Sequence, residues 1–404
     1  MLRACAGALQ KWWRVILLGI LTVGSYGIAV YSFGVFIGPI HEDTGWSVGA
    51  LSAAFTLSSL AGGVGAVGSG WLLDRVGGRP VMLGSLAIGS VLLFAASYAQ
   101  SADVFVIAWG AGGGIVSAGL FYNITMALTT RLFPGDRVRA FSILTFVGGF
   151  AAVFYFPFAG LLVDVMDWRL ALRILLVLLA LHVLPAALLV RGGAAVKGQP
   201  AKHGDRGNVL AAFRTPEVIV MIAMFSLASM AFGATQVLHV PAMVAAGATL
   251  GTATAIASIR GLLSLPGRAL MGPVVARLGV PGTMGMVYVL MALGTLPLAA
   301  GGEIGWLLAF LLPTGLAFGA ISPLHGLYAA EVYGERRIGT LMGIQSLIVG
   351  LISATGPLLM GLTVDATGSY RLAIILSAGL FGGAFLLLLA RPRTRGAVVV
   401  EPAA

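Results

Sequence analysis

Gly70-Trp71-Leu72-Leu73-Asp74-Arg75-Val76-Gly77-Gly78-Arg79-Pro80 is a short charged hinge between two long apolar runs, Ser47 to Leu73 and Val81 to Tyr98. Glycine lets two helix ends approach closely, and proline suits the first turn of a new helix, where no amide donor is needed. The acid Asp74 stands beside two arginines, Arg75 and Arg79. The pattern predicts two membrane-length helices joined by a tight polar turn.

Away from that turn the composition agrees. Of the 404 residues, 59% are hydrophobic and 9% are charged, whereas soluble domains carry about 25% charged residues. Only a bilayer can solvate such a chain. Apolar runs of about 20 residues predict twelve spans, roughly 15–38, 47–73, 80–98, 104–130, 139–162, 169–190, 217–246, 251–276, 281–300, 304–330, 338–362 and 370–390. With a cytoplasmic N-terminus, nineteen of the 24 Lys and Arg fall on the inner side. Arg169, Arg173 and Arg371 fall outside, and Arg260 and Arg268 lie within a span. The positive-inside rule therefore accounts for the net charge of +10. The chain's partners are membrane lipid and a small molecule, with no need for nucleic acid, and both termini are expected in the cytoplasm. The first span is poorly bounded for a cleaved signal and reads as a retained helix. Cys5 is the only cysteine, which excludes an intrachain disulfide and a cysteine-based metal site. All seven Trp lie near predicted span ends, where interfacial aromatics belong.

Two halves repeat. Gly70, Arg75 and Gly77 recur as Gly272, Arg277 and Gly279, each 202 residues on, and Trp168-Arg169-Leu170-Ala171 recurs as Tyr370-Arg371-Leu372-Ala373. The unit is six helices, so the expected fold is an all-α membrane protein of twelve transmembrane helices in two six-helix pseudo-repeats. The expected division is an N-terminal bundle over 1–191, a glycine-rich basic cytoplasmic linker over 192–214, a C-terminal bundle over 215–391 and a cytoplasmic tail over 392–404. Ala276 stands where the first half has Asp74, so any gate built on that charge is one-sided.

With the acid, both arginines and the glycines in register, Gly70 to Pro80 resembles the loop signature of the major facilitator superfamily. That resemblance implies alternating access of two rocking halves, with Gly70, Asp74, Arg75, Gly77 and Arg79 as gating elements. A narrower resemblance, to the monocarboxylate-porter and oxalate/formate-antiporter branch, rests on three segments. They are the end of the first helix, Tyr31-Ser32-Phe33-Gly34-Val35-Phe36-Ile37-Gly38-Pro39, the following Gly45-Trp46-Ser47, and Asp365-Ala366-Thr367-Gly368-Ser369-Tyr370-Arg371. Between the first two, His41 to Ser47 is expected as an outer loop whose Ser47 caps the second helix.

No nucleophile–base arrangement, metal spacing or phosphate loop stands out, so the chain is expected to be neither an enzyme nor a cofactor binder. All fourteen acids lie at span ends or in loops. Ionisable groups within spans are costly and therefore informative. Arg260, Ser264 and Arg268 follow at i, i+4 and i+8 on one helix face, the arginines roughly 12 Å apart along the axis. Arg260 could snorkel to the outer surface; Arg268, placed deeper, is the stronger anion anchor, and the branch resemblance puts the substrate-anchoring arginine there. The resemblance also has gaps. Tyr31 stands where animal porters have lysine, Ser264 where they have an acid, and the eleventh span lacks the lysine of oxalate antiporters. Tyr122 and Asn123 read as interhelical glue or as cavity lining. His239 and His325, each beside a proline bend, could titrate near neutral pH, or rest neutral on a backbone carbonyl. The implied function is transport of a small organic anion, a monocarboxylate, by a monomer of a bacterial inner membrane, with proton coupling left open. Efflux of an amphipathic compound and a non-transporting membrane sensor are the alternatives.

Overall fold

A computed structural model describes residues 2–190, 212–333 and 338–392, and all of its regular structure is helical. Helices long and apolar enough to cross a membrane are α1 (Lys11–Thr44), α2 (Val48–Val76), α3 (Gly78–Ala96), α4 (Ala102–Leu132), α5 (Arg139–Val165), α6 (Trp168–Leu189) and α7 (Pro216–Ala245). A continuous Leu250–Ala299 follows, turned at Gly279 (φ 69°) into α8 and α9. The bent pair Ile304–Phe318 and Ile321–Tyr333 forms α10, and Leu341–Thr367 and Tyr370–Ala390 are α11 and α12. The predicted spans hold within a few residues, except that α1 runs on to Thr44. The turn expected on the outer side is therefore only Gly45–Ser47. There Gly45 takes a left-handed conformation (φ 71°) and Ser47 Oγ accepts from Ala50 N at 3.1 Å.

The repeat holds at the level of single backbone angles. Gly45 and Gly77 have positive φ, and so do Gly247 and Gly279, each 202 residues on. These turns define two faces of the molecule. The Gly45 face carries the α1–α2, α7–α8 and α11–α12 turns; the Gly77 face carries α2–α3 and α8–α9.

Several helices are interrupted midway. α1 contains a π-turn over Gly27–Tyr31, α4 breaks at Phe121, α5 at Gly149, and α10 bends by 41° between Phe318 and Ile321. A break at membrane depth frees carbonyls that lipid cannot satisfy, so side chains must do so. Asn123 Nδ2 donates to Ala118 O at 2.7 Å, Ser25 Oγ to Leu120 O at 3.1 Å, and Ser32 Oγ to Gly27 O at 2.9 Å.

The halves pack together on the Gly45 side. One buried cluster joins Val35, Ala152 and Phe156 to Val240, Ala253 and Phe310. Across the same side, Gly49 N donates to Asp365 Oδ2 at 2.9 Å. Towards the Gly77 face the halves separate. A cleft of about 310 Å³ lies between Ser59, Gly63 and Val67 of α2 and Gly343, Ser346 and Gly350 of α11.

The charged hinge draws its ion pair from a neighbouring helix. Asp74 pairs with Arg131 at the end of α4, and Arg131 also donates to Leu73 O at 3.3 Å. Arg75 lies over the Trp71 ring at 3.9 Å, while Arg79 is exposed and makes no ion pair among the described residues. Neighbours in sequence around a helix end point apart, so the partner comes from the adjacent helix. Lys11 similarly holds Asp136, at 2.6 Å, and this hydrogen bond keeps that loop carboxyl below its ordinary range. The tryptophans near the span ends differ in burial. Trp71 and Trp306 are exposed, but Trp109 is buried against Phe33 and Phe105, because its helix face and not its depth decides its neighbours. Most of the expected linker (residues 191–211) and the tail from residue 393 lie outside the described residues.

Candidate functional site

The central residues come from α1, α4, α7, α8 and α10. The sequence places Arg260, Ser264 and Arg268 on one face of α8, and the fold turns that face inward. Arg260 does not snorkel. It is 2% exposed, its Nη1 donates to Gln236 Oε1 of α7 at 3.4 Å, and its guanidinium stands 4.5 Å over the Phe318 ring and 5.5 Å over Phe310. Its Nε and Nη2 have no hydrogen-bond partner among the described residues. Arg268 is the exposed one, without a hydrogen bond or ion pair among the described residues. Its stem lies on the break of α10, where a Cβ at Gly319 would stand 2.8 Å from Arg268 Cγ; only glycine admits that approach. Ser264 is buried between the arginines, and its hydroxyl donates to Gly261 O at 2.6 Å. That leaves the oxygen's lone pairs, which an anion cannot use.

Tyr31 is the last residue of the π-turn of α1. Its ring lies 5.4 Å from Phe156 and within electrostatic reach of both arginines. A π-turn of this kind re-aims side chains and recurs at functional sites. Tyr122 lies within reach of Tyr31 and Arg268, and its ring is 5.2 Å from Tyr26. Asn123 bonds within its own helix and not to another: it satisfies the broken turn of α4, and it lines a cavity of about 350 Å³ with Tyr26, Ser59 and Phe121. The stacked pair Tyr26–Phe121, at 3.9 Å, is the aromatic wall of that cavity.

The two histidines part company. His239 is fully buried beside Arg260, with Nδ1 at 2.8 Å from Thr235 O and 3.1 Å from Gln236 O, and its Nε2 has no partner among the described residues. His325 sits in the packed core of the second half, stacked on Phe225 at 3.9 Å with Nε2 2.7 Å from Tyr288 Oη. It is not brought to the arginines. Gln236, Tyr26 and Phe121 belong with the site and went unnoticed in the sequence. For Gln236 the signal existed, an amide inside an apolar span; for Tyr26 and Phe121 nothing local distinguished them from lipid-facing rings.

The resulting site is cationic and acid-free on the second half, aromatic and hydroxyl-bearing on the first. No group of three or more metal-ligating side chains occurs among the described residues.

Comparison with known proteins agrees in kind. The family model described as Major Facilitator Superfamily matches residues 19–248 and 226–403. An oxalate:formate antiporter of Oxalobacter formigenes is 26% identical over 322 residues, 77% of this chain and 74% of that protein. The agnestins efflux protein AgnL12 of Paecilomyces divaricatus is 25% identical over 341 residues, 82% of this chain and 76% of that protein. Among solved structures, the nucleoside transporter NupG aligns with a TM-score of 0.80 at 15% identity, covering 95% of this chain and all of that one. A bacterial homologue of the human lysosomal transporter Spinster, solved inward-facing and unoccupied, aligns with a TM-score of 0.71 at 14% identity, covering 96% of this chain and 99% of that one. At those identities the structural likeness speaks to fold alone.

Proposed function

This chain belongs to the Major Facilitator Superfamily, and we propose that it carries a small organic anion, a monocarboxylate, across the membrane by alternating access. One observation carries this reading: the buried guanidinium of Arg260 has Nε and Nη2 unpartnered, and none of the ion pairs among the described residues involves it. An unpaired cation at that depth is expensive, and a substrate carboxylate would complete it. Arg268, exposed two turns nearer the Gly77 face, meets an anion entering from that side first. Tyr31 and Tyr122 face it from the first half, with Asn123 next to Tyr122 in the chain. The absence of lysine from α11 favours one carboxylate over two. The oxalate:formate antiporter relative supports an organic anion as cargo.

In this reading the bundles over 1–191 and 215–391 rock as two bodies, with the Gly77 face cytoplasmic, in a bacterial inner membrane, and the protein works as a monomer. The turn containing Gly70, Asp74, Arg75, Gly77 and Arg79 acts at the cytoplasmic gate. A second reading, efflux of an amphipathic compound, draws on the Tyr26–Phe121 wall and on the efflux relative. Counterflow in proteoliposomes with labelled formate, lactate, benzoate, oxalate and a lipophilic cation separates the two. Exchange of at least one monocarboxylate is expected; exchange of the cation alone would overturn the anion reading in favour of efflux.

A further inference from the structure

Four buried polar atoms without a hydrogen-bond partner among the described residues gather at one place: Gln236 Nε2 and His239 Nε2 of α7, and Nε and Nη2 of Arg260 on α8. Gln236 ties the helices together through its bond to Arg260 Nη1. Apolar rings close the surroundings. Phe156 stands 5.2 Å from the His239 ring, edge to face, and Phe310 stands 6.1 Å from it. Buried polar atoms are normally paired, and a group of orphans on adjoining side chains marks a place where something polar binds. The arginine nitrogens and the Gln236 amide nitrogen can only donate, so what they await is an acceptor.

The orientation of His239 adds a second element. Thr235 O and Gln236 O can only accept, so Nδ1 carries the ring hydrogen and the neutral imidazole presents a bare lone pair at Nε2. The charged or titratable groups around this ring are few. α8 contributes Arg260, and α1 contributes Tyr31, within reach of Arg260; α5 and α10 contribute the phenylalanines just named. Beside Arg260 alone, a second positive charge would be repelled in an apolar setting. A carboxylate between the two reverses that balance, because it attracts both cations.

We propose that His239 Nε2 takes up one proton together with the anion that Arg260 binds, making the protein a proton–anion symporter. The inference rests on the anion reading above and names its coupling group. The proton comes from water on the side from which the anion enters, bonds to the Nε2 lone pair, and turns that nitrogen into a donor to the carboxylate. On the other side the carboxylate leaves and the proton returns to water. No electrons move. Arginine repulsion keeps the proton from loading alone, and so the two loads travel together. His325 cannot serve, since its Nε2 is engaged by Tyr288 Oη within the second half's core.

The test is the ratio of proton to anion movement in proteoliposomes loaded with a pH-sensitive dye, with benzoate, lactate and formate as probes. For the unaltered protein, uptake of the transported probe should be accompanied by about one proton per anion, and an inward proton gradient should drive accumulation. His239→Asn keeps an amide that can bond the same carbonyls but cannot carry a proton. It should bind the anion about tenfold more weakly, and at saturating probe its residual exchange should move no proton; His239→Gln serves if the first variant does not fold. Counterflow without proton movement in the unaltered protein overturns the coupling while leaving anion transport standing. Proton movement that survives the histidine substitutions removes His239 as the carrier. Failure of every anion to exchange overturns the anion reading and this inference with it. For a measurement independent of any variant, calorimetry of benzoate binding in buffers of different ionisation enthalpy should register proton uptake, and none registered contradicts the proposal.

Discussion

The two faces of the molecule hold the halves in different ways. On the Gly45 face the contact crosses between halves: Asp365 of α11 accepts from Gly49 N, near the N-terminus of α2, where a carboxylate also meets the positive end of the helix dipole. On the Gly77 face the ion pair Asp74–Arg131 stays within the first half and joins α2 to α4. The equivalent positions of the second half, 202 residues on, are Ala276 and Tyr333, so neither partner of that ion pair recurs there. The lesson is that one face is latched across the halves and closed, whereas the other stiffens a single half and leaves a cleft. A repeat in sequence therefore need not give a repeat in mechanism.

The largest expected effect settles which face is which. In a Cys5→Ser background, Gly198→Cys should be shielded from an impermeant thiol reagent in whole cells, and Thr44→Cys, at the Gly45 face, should react. The opposite pattern would reverse the assignment of faces. Next comes Asp365→Asn. A carboxylate at a helix N-terminus contributes about 0.3–1 kcal/mol at the surface and up to ~2 when partly buried. The variant should open the Gly45 face more often, and thiol labelling of a Thr254→Cys reporter buried there should speed up several-fold or more. An unchanged rate would show that Asp365 is no latch. Asp74→Asn should be mildest, since the Asp74 side chain is 69% exposed and surface ion pairs contribute about 0–1 kcal/mol. It should slow exchange and leave anion affinity within several-fold; if it outweighs Asp365→Asn, the comparison of the faces fails.

Much of this architecture was legible from glycine and charge. Gly77 and Gly279 could be paired from spacing because each turn needs a positive φ, a requirement written in the residue type. The break of α4 was not legible. Phe121 is no helix breaker, and the break persists because Asn123 and Ser25 satisfy the freed carbonyls, one of them from another helix. The ranking of the arginines was reversed for a similar reason. Arg260 lies nearer the start of its helix and reads as the shallower, yet Gln236, Phe310 and Phe318 from α7 and α10 cover it, while Arg268 stays open at the break of α10. Nor does adjacency to proline separate His239 from His325; their neighbours on other helices do.

The account centres on a substrate carboxylate held by the arginine face of α8. Equilibrium binding of labelled benzoate, lactate and formate to the purified protein and to its Arg268→Lys and Arg260→Lys variants tests this most directly. Lysine keeps the charge but loses the planar fork that engages a carboxylate at two points. Charge-assisted hydrogen bonds contribute roughly 1.5–3 kcal/mol, and about 1.4 kcal/mol is tenfold in affinity. Each variant should therefore bind roughly ten- to a hundredfold more weakly, with the buried Arg260 at least as sensitive as Arg268. Equal affinity in both variants, folded in detergent, would contradict the account.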